Sequence, residues 1–166
     1  MKKIFSILLL IAILSLSLSS CGFTTPRPEI KTGEFNFCIT YELCGETKTI
    51  CGVYVCEYKG TGWALDSGYD RDWDGYIKGG EMDTIIDIGT ADDGGEIKLN
   101  LAFYPDYFMG DSSYRGAPEP WLSVSHSDGE GFYIENEPDV IAERYGARIV
   151  SYEYDPPIQN SFGLFK

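Results

Sequence analysis

The densest run of groups able to do chemistry is Asp70-Arg71-Asp72-Trp73-Asp74-Gly75-Tyr76-Ile77-Lys78-Gly79-Gly80-Glu81. Carboxylates at alternate positions can converge on one hard cation, a glycine can turn the chain beneath it, and a distal glutamate can bind with both oxygens. The spacing predicts a calcium site with side-chain ligands Asp70, Asp72, Asp74 and Glu81 and the carbonyl of Tyr76 as a backbone ligand. Calcium is the ion this pattern would take, and nothing in the composition requires a cofactor for folding. The competing reading is an acidic, solvated turn in a chain with 26 acidic residues against 13 basic ones.

The same residues resemble the calcium loop of EF-hand proteins. They depart from it at Trp73, where bulky aromatics are avoided, and at Lys78, where a polar residue usually holds a water. Gly79-Gly80 would weaken an exiting helix, Gly60, Gly62 and Gly68 an entering one, and the β-branched run after Met82 reads as a strand. The expectation is therefore a loop without helices that holds calcium weakly, with a dissociation constant on the order of 0.1 to 1 mM.

Cys38, Cys44, Cys51 and Cys56 crowd into one stretch. Their spacings lack the paired Cys-x-x-Cys knuckles of a zinc site, whereas disulfides persist outside the cytoplasm. If Cys44-Gly45 is a two-residue hairpin turn, Leu43 faces Glu46, and counting outward brings Cys38 opposite Cys51. Alternation makes that a non-hydrogen-bonded pair with Cα atoms about 4.5 Å apart, close enough to predict a Cys38–Cys51 disulfide. Cysteine at the first turn position is awkward, because a type I′ turn needs a positive φ there. Cys56 reads as a small buried hydrophobe.

Nucleophilic catalysis has little to work with. His126 is the only histidine, its neighbours in Ser125-His126-Ser127-Asp128 lie at a strand end, and Gly110-Asp111-Ser112-Ser113 lacks the strained elbow that aims a catalytic serine. Paired carboxylates leave one catalytic rival, an extracytoplasmic hydrolase using acidic residues. Trp63, Trp73 and Trp121 could form a sugar-stacking face or pack into the core. Tryptophans exposed on one face would favour binding, and carboxylates converging in a deep cleft would favour catalysis.

The elements that must position these groups are mostly strands. Phe35, Phe37, Ile39, Tyr41 and Leu43 alternate with polar residues, and Thr47 to Tyr58 is rich in β-branched and aromatic residues, so the two read as a hairpin. Further strands are expected at Thr84 to Ile88, Glu96 to Tyr104, Trp121 to His126, Phe132 to Glu135 and Arg148 to Tyr154. One helix should open at Pro138-Asp139 and close at Gly146. Many short strands at this spacing predict a mainly β fold, a single antiparallel β-sandwich with one short helix, over residues 34–166.

The N-terminus reads as an export segment. Lys2 and Lys3 precede an apolar run from Ile4 to Leu14, and serines lead to Cys21. The run is about half of the ~20 residues a membrane-spanning helix needs. Leu18-Ser19-Ser20-Cys21 resembles the lipobox of bacterial lipoproteins. That resemblance implies that residues 1–20 are a cleaved signal peptide, that Cys21 carries diacylglycerol, and that the chain is held outside the cytoplasm at a membrane. Multiple acyl chains at about 0.8 kcal/mol per buried methylene make a durable anchor. Residues 21–33, with Thr24, Thr25, Pro26 and Pro28, read as a stiff tether. Val53 to Tyr58 and Tyr152 to Pro157 are also similar to uncharacterised β-rich lipoproteins, a resemblance that carries no activity with it.

Loss of the signal takes Lys2 and Lys3 and no acids, so the formal charge falls from 13 minus 26 to 11 minus 26, or -15. A surface this acidic argues against nucleic acid as a partner. The expected function is that of a membrane-anchored binding or structural module of the cell envelope, with envelope carbohydrate or protein as its partner.

Overall fold

The computed structural model describes residues 25–64, 68–79, 84–111, 116–127 and 132–163. In chain order they form β1 (Arg27–Pro28), β2 (Thr32–Leu43), β3 (Glu46–Ala64), β4 (Gly68–Ile77), β5 (Ile85–Thr90), β6 (Glu96–Asn100) and α1 (Pro105–Phe108). β7 (Trp121–Ser127), β8 (Phe132–Glu135), α2 (Pro138–Tyr145), β9 (Ala147–Tyr154) and β10 (Phe162–Gly163) complete them.

Alternation decides which side of each strand is buried. On β2, Phe35, Phe37, Ile39 and Tyr41 are at most 5 % exposed, while Glu34, Asn36, Cys38 and Thr40 look outward. Two antiparallel four-stranded sheets result, in the orders β4-β3-β2-β9 and β5-β6-β7-β8. Between them a single core joins Phe35, Ile39 and Tyr54 of the first sheet to Ile97, Leu99 and Val124 of the second. The fold is mainly β and antiparallel, as the strand spacing predicts, and the two sheets enclose the core as a sandwich. A two-residue ribbon, β1 on β10, brings the described ends of the chain together.

The hairpin register is the one the sequence implies, with Leu43 opposite Glu46 and Cys38 opposite Cys51. Cys44 and Gly45 both take positive φ, 51° and 82°. A left-handed cysteine costs about 1 kcal/mol. Here the backbone N–H of Cys44 is held by the carbonyl of Gly146, 2.9 Å away.

Four expectations need correction. Two helical segments occur among the described residues rather than one, because β6 stops at Asn100 and Pro105 opens α1. Ala102, at φ 52°, breaks the strand read as running to Tyr104. The stretch read as tether is already folded from Arg27, where β1 begins, and β2 starts at Thr32. The segment read as a calcium loop is a strand, β4, on the edge of the first sheet. α2 keeps its expected limits, with Pro138 in its first turn and Gly146 at φ 61° closing it.

Candidate functional site

Strand geometry takes the expected calcium ligands apart. Asp70, Asp72 and Asp74 are exposed at alternate positions of β4, with Arg71 and Trp73 turned the other way. Side chains two residues apart on a strand stand about 6.6 Å from each other. The carboxylates therefore line up along the outer face of the sheet instead of closing around one ion. Among the described residues no group of three His, Cys, Asp or Glu side chains could hold a metal. Tyr76 pairs with Val55 in the sheet and donates its hydroxyl to Glu57 Oε1 at 3.0 Å. Glu81 lies outside the described residues. The stretch expected to be a loop is, from Asp70 to Ile77, an acidic edge strand.

One of its aspartates, Asp74, lies near a lysine. Lys59 bonds Glu57 at 2.6 Å and approaches Asp74 at 3.7 Å. The hydrogen bond from Lys59, and then that from Tyr76, hold the Glu57 carboxyl below its ordinary range.

The inner side of β4 carries the best-built polar cluster. Arg71 and Trp73 both aim at Asp111, just past α1, whose side chain is only 6 % exposed. Arg71 Nε donates to Asp111 Oδ2 at 2.6 Å, a second guanidinium nitrogen donates to Oδ1, and Trp73 Nε1 also donates to Oδ2 at 2.6 Å. The guanidinium reaches the carbonyl of Pro26 at 3.1 Å and lies 4.2 Å from the ring centre of Phe162. Its bond to Asp111 is the main reason its pKa rises further. One arginine therefore fastens β4, the segment after α1 and both described ends of the chain.

An open cleft of about 340 Å³ lies at the far end of the β2–β3 hairpin, lined by Cys44, Asp92, Asp93, Ile97, Arg144 and Tyr145. Arg144 bonds Asp93 at 2.9 Å across its mouth. Behind it His126 is 9 % exposed, stacked on Tyr133 with ring centres 4.6 Å apart. Its Nε2 shares a hydrogen bond of 3.0 Å with the Tyr145 hydroxyl, and Nδ1 stands 3.9 Å from Asp93 Oδ1, beyond hydrogen-bond reach. Burial raises the Tyr145 pKa, which makes that hydroxyl a poor nucleophile. The cleft offers a thiol, two carboxylates and a guanidinium to solvent, with its histidine covered by two tyrosines.

Cys38 and Cys51 are joined, their Cα atoms 4.1 Å apart, on the outer face of the first sheet. Cys44 is a free, exposed thiol, and Cys56 is free and fully buried. Burial, and then the charge of Asp106, push the Cys56 thiol up to about 12. Cys21 lies outside the described residues.

Among the described residues the tryptophans do not gather on one exposed face. Trp73 is half-buried on the inner face of the first sheet, Trp121 is 42 % exposed on the second, and the Trp63 side chain lies outside the described residues. Sequence reasoning found neither the Arg71–Asp111 clamp nor the His126–Tyr145 pair. The members of each are far apart in the chain, and only burial reveals them. The chain matches no protein-family model, no curated protein and no solved structure.

Proposed function

We propose that this chain is an extracytoplasmic lipoprotein, held at a membrane by lipid on Cys21, whose β-sandwich serves the cell envelope as a binding or structural module without catalysis. The observation that carries the reading is the grip of Arg71 on the Pro26 carbonyl. Pro26 stands five residues after Cys21. At ~3.4 Å per residue, five residues span at most roughly 17 Å. A domain fastened so near its lipid would stay at the membrane surface, where its partners are envelope carbohydrate or protein. The charged start, short apolar run and Leu18-Ser19-Ser20-Cys21 support the same address.

The test is the mass of the N-terminal peptide from membranes of an expressing bacterium. Diacylglycerol on Cys21 with residues 1–20 removed is the expected result, and Cys21→Ala should abolish both the lipid and membrane retention. An unmodified cysteine, or wild-type protein released into the medium, would overturn the proposal.

A further inference from the structure

The two edges of the first sheet are treated differently. β4 is guarded by three outward aspartates, like charges that discourage another strand from adding on. β9, at the opposite edge, carries charges of both signs instead, Arg148 and Glu153, on either side of a bulge. Val150 is 53 % and Tyr152 41 % exposed, and residues 150–153 are exposed without interruption although they alternate between the two faces of the sheet. Among the described residues β9 pairs on one side only, with β2.

Its charges are arranged for one particular occupant. Arg148 and Glu153 are five residues apart and would point to opposite faces of a regular strand. The register of β9 on β2 shifts between Thr40 and Tyr41, with Thr40 opposite Ser151 and Tyr41 opposite Ile149. Val150 is the extra residue. The bulge re-phases the strand, so that Arg148 opposite Glu42 and Glu153 opposite Cys38 share the outer face. Residues that meet across an antiparallel pair must share a face. A second β9 running antiparallel can therefore set Arg148 against Glu153 of the other copy, twice, about a two-fold axis. The same register sets Ile149 against Tyr152 and Ala147 against Tyr154 on the inner face. Registers that centre the axis on Arg148 or on Glu153 oppose like charges.

We propose that β9 is a self-complementary edge through which two copies of this chain join their first sheets into one. Arg148 already bonds Glu42 at 2.6 and 2.9 Å and keeps a side chain 65 % exposed. Its remaining guanidinium face is the one that meets Glu153 of the second copy. The acidity of the chain opposes association, but charges beyond about 8 Å are screened at physiological salt. The paired edge acts inside that distance.

The experiment is sedimentation of the full chain in a non-ionic detergent, with Cys44 alkylated so that disulfide-linked dimers do not contribute. The wild type should sediment as a dimer. Arg148→Glu and Glu153→Arg should each weaken association by about ten-fold, since both attractive pairs become repulsive. Mixing the two variants should restore it, because the mixed pair regains both attractions. Recovery on mixing also shows that neither variant has merely failed to fold. A monomeric wild type, single variants that dimerise undiminished, or a mixture that stays monomeric would each overturn the proposal.

Discussion

The Tyr54 ring lies across Gly75, its hydroxyl oxygen 1.8 Å from where a Cβ on that glycine would stand. Tyr54 is 2 % exposed and stacked on Phe103 with ring centres 4.3 Å apart, so it has nowhere to retreat. Gly75→Ala should destabilise the fold by about 1 to 3 kcal/mol through overpacking. Tyr54→Leu in the same chain should recover part of that loss, a coupling that denaturant melts of the single and double variants would measure. Strictly additive losses would count against the contact.

Asp111→Ala should be among the most damaging single changes. It removes the acceptor of Arg71 and of the Trp73 indole together, leaving a partly buried cation unpaired. The expected loss is about 3 kcal/mol, read from denaturant melts. Cleavage by a protease between residues 25 and 31 should rise in parallel, because the grip on Pro26 loosens. Unchanged protection there would mean that β1 and β10 hold the chain end without the clamp.

Millimolar calcium should shift the melting temperature no more than an equal ionic strength of a monovalent salt, because β4 spreads its carboxylates along a strand. Asp70→Asn, Asp72→Asn and Asp74→Asn should each alter stability by about 0.5 kcal/mol or less, as exposed positions do. Replacing all three by valine should instead provoke aggregation, since the charges guard an edge. A calcium-specific rise lost in Asp70→Asn would restore the metal site.

The cysteines should separate cleanly by reactivity. In the folded, aerobically purified protein, iodoacetamide at neutral pH should modify Cys44 and spare Cys56. Cys38→Ala should cost roughly 3 kcal/mol by freeing the hairpin loop in the unfolded chain. Cys56 also sets an alkaline limit. Its thiol ionises near 9.0 when unfolded and near about 12 when folded, so the unfolded chain loses its proton first. Stability from this group is whole below pH 9 and declines as pH rises toward 12. Burial raises Tyr54 and Tyr154 above their ordinary 10.0 and deepens the decline. Cys56→Ala should soften the onset between pH 9 and 10, followed by circular dichroism.

The hairpin was legible because β2 obeys a period of two with apolar residues on one side, and that period fixes its register once the turn is placed. β4 obeys the same period, yet of its inward residues from Arg71 on only Ile77 is an ordinary core aliphatic, the others being Arg71, Trp73 and Gly75. Each is tolerated for a reason lodged elsewhere in the chain. Asp111 satisfies the first two, and Tyr54 fills the space over the third. Local pattern cannot carry information about partners so distant in sequence. The aspartates on the outer side then look like ligands because spacing alone does not tell a loop that closes from a strand that runs straight. The cleft beside Cys44 was hidden for a related reason, since Asp93, His126 and Tyr145 come from three separate elements.

Because Arg27 pairs with Gly163 and Pro28 with Phe162, the stretch from residue 27 to 163 is nearly a closed ring. A short linker between the two ends should permit circular permutation, with new termini opened at the exposed Cys44-Gly45 turn on the opposite side of the hairpin. In such a permutant the former amino terminus becomes an interior loop, and any leash would have to leave from the end that carries the cleft. A reporter fused downstream of Gly163 in the natural order would, by the same closure, emerge beside Arg27 rather than project away from it.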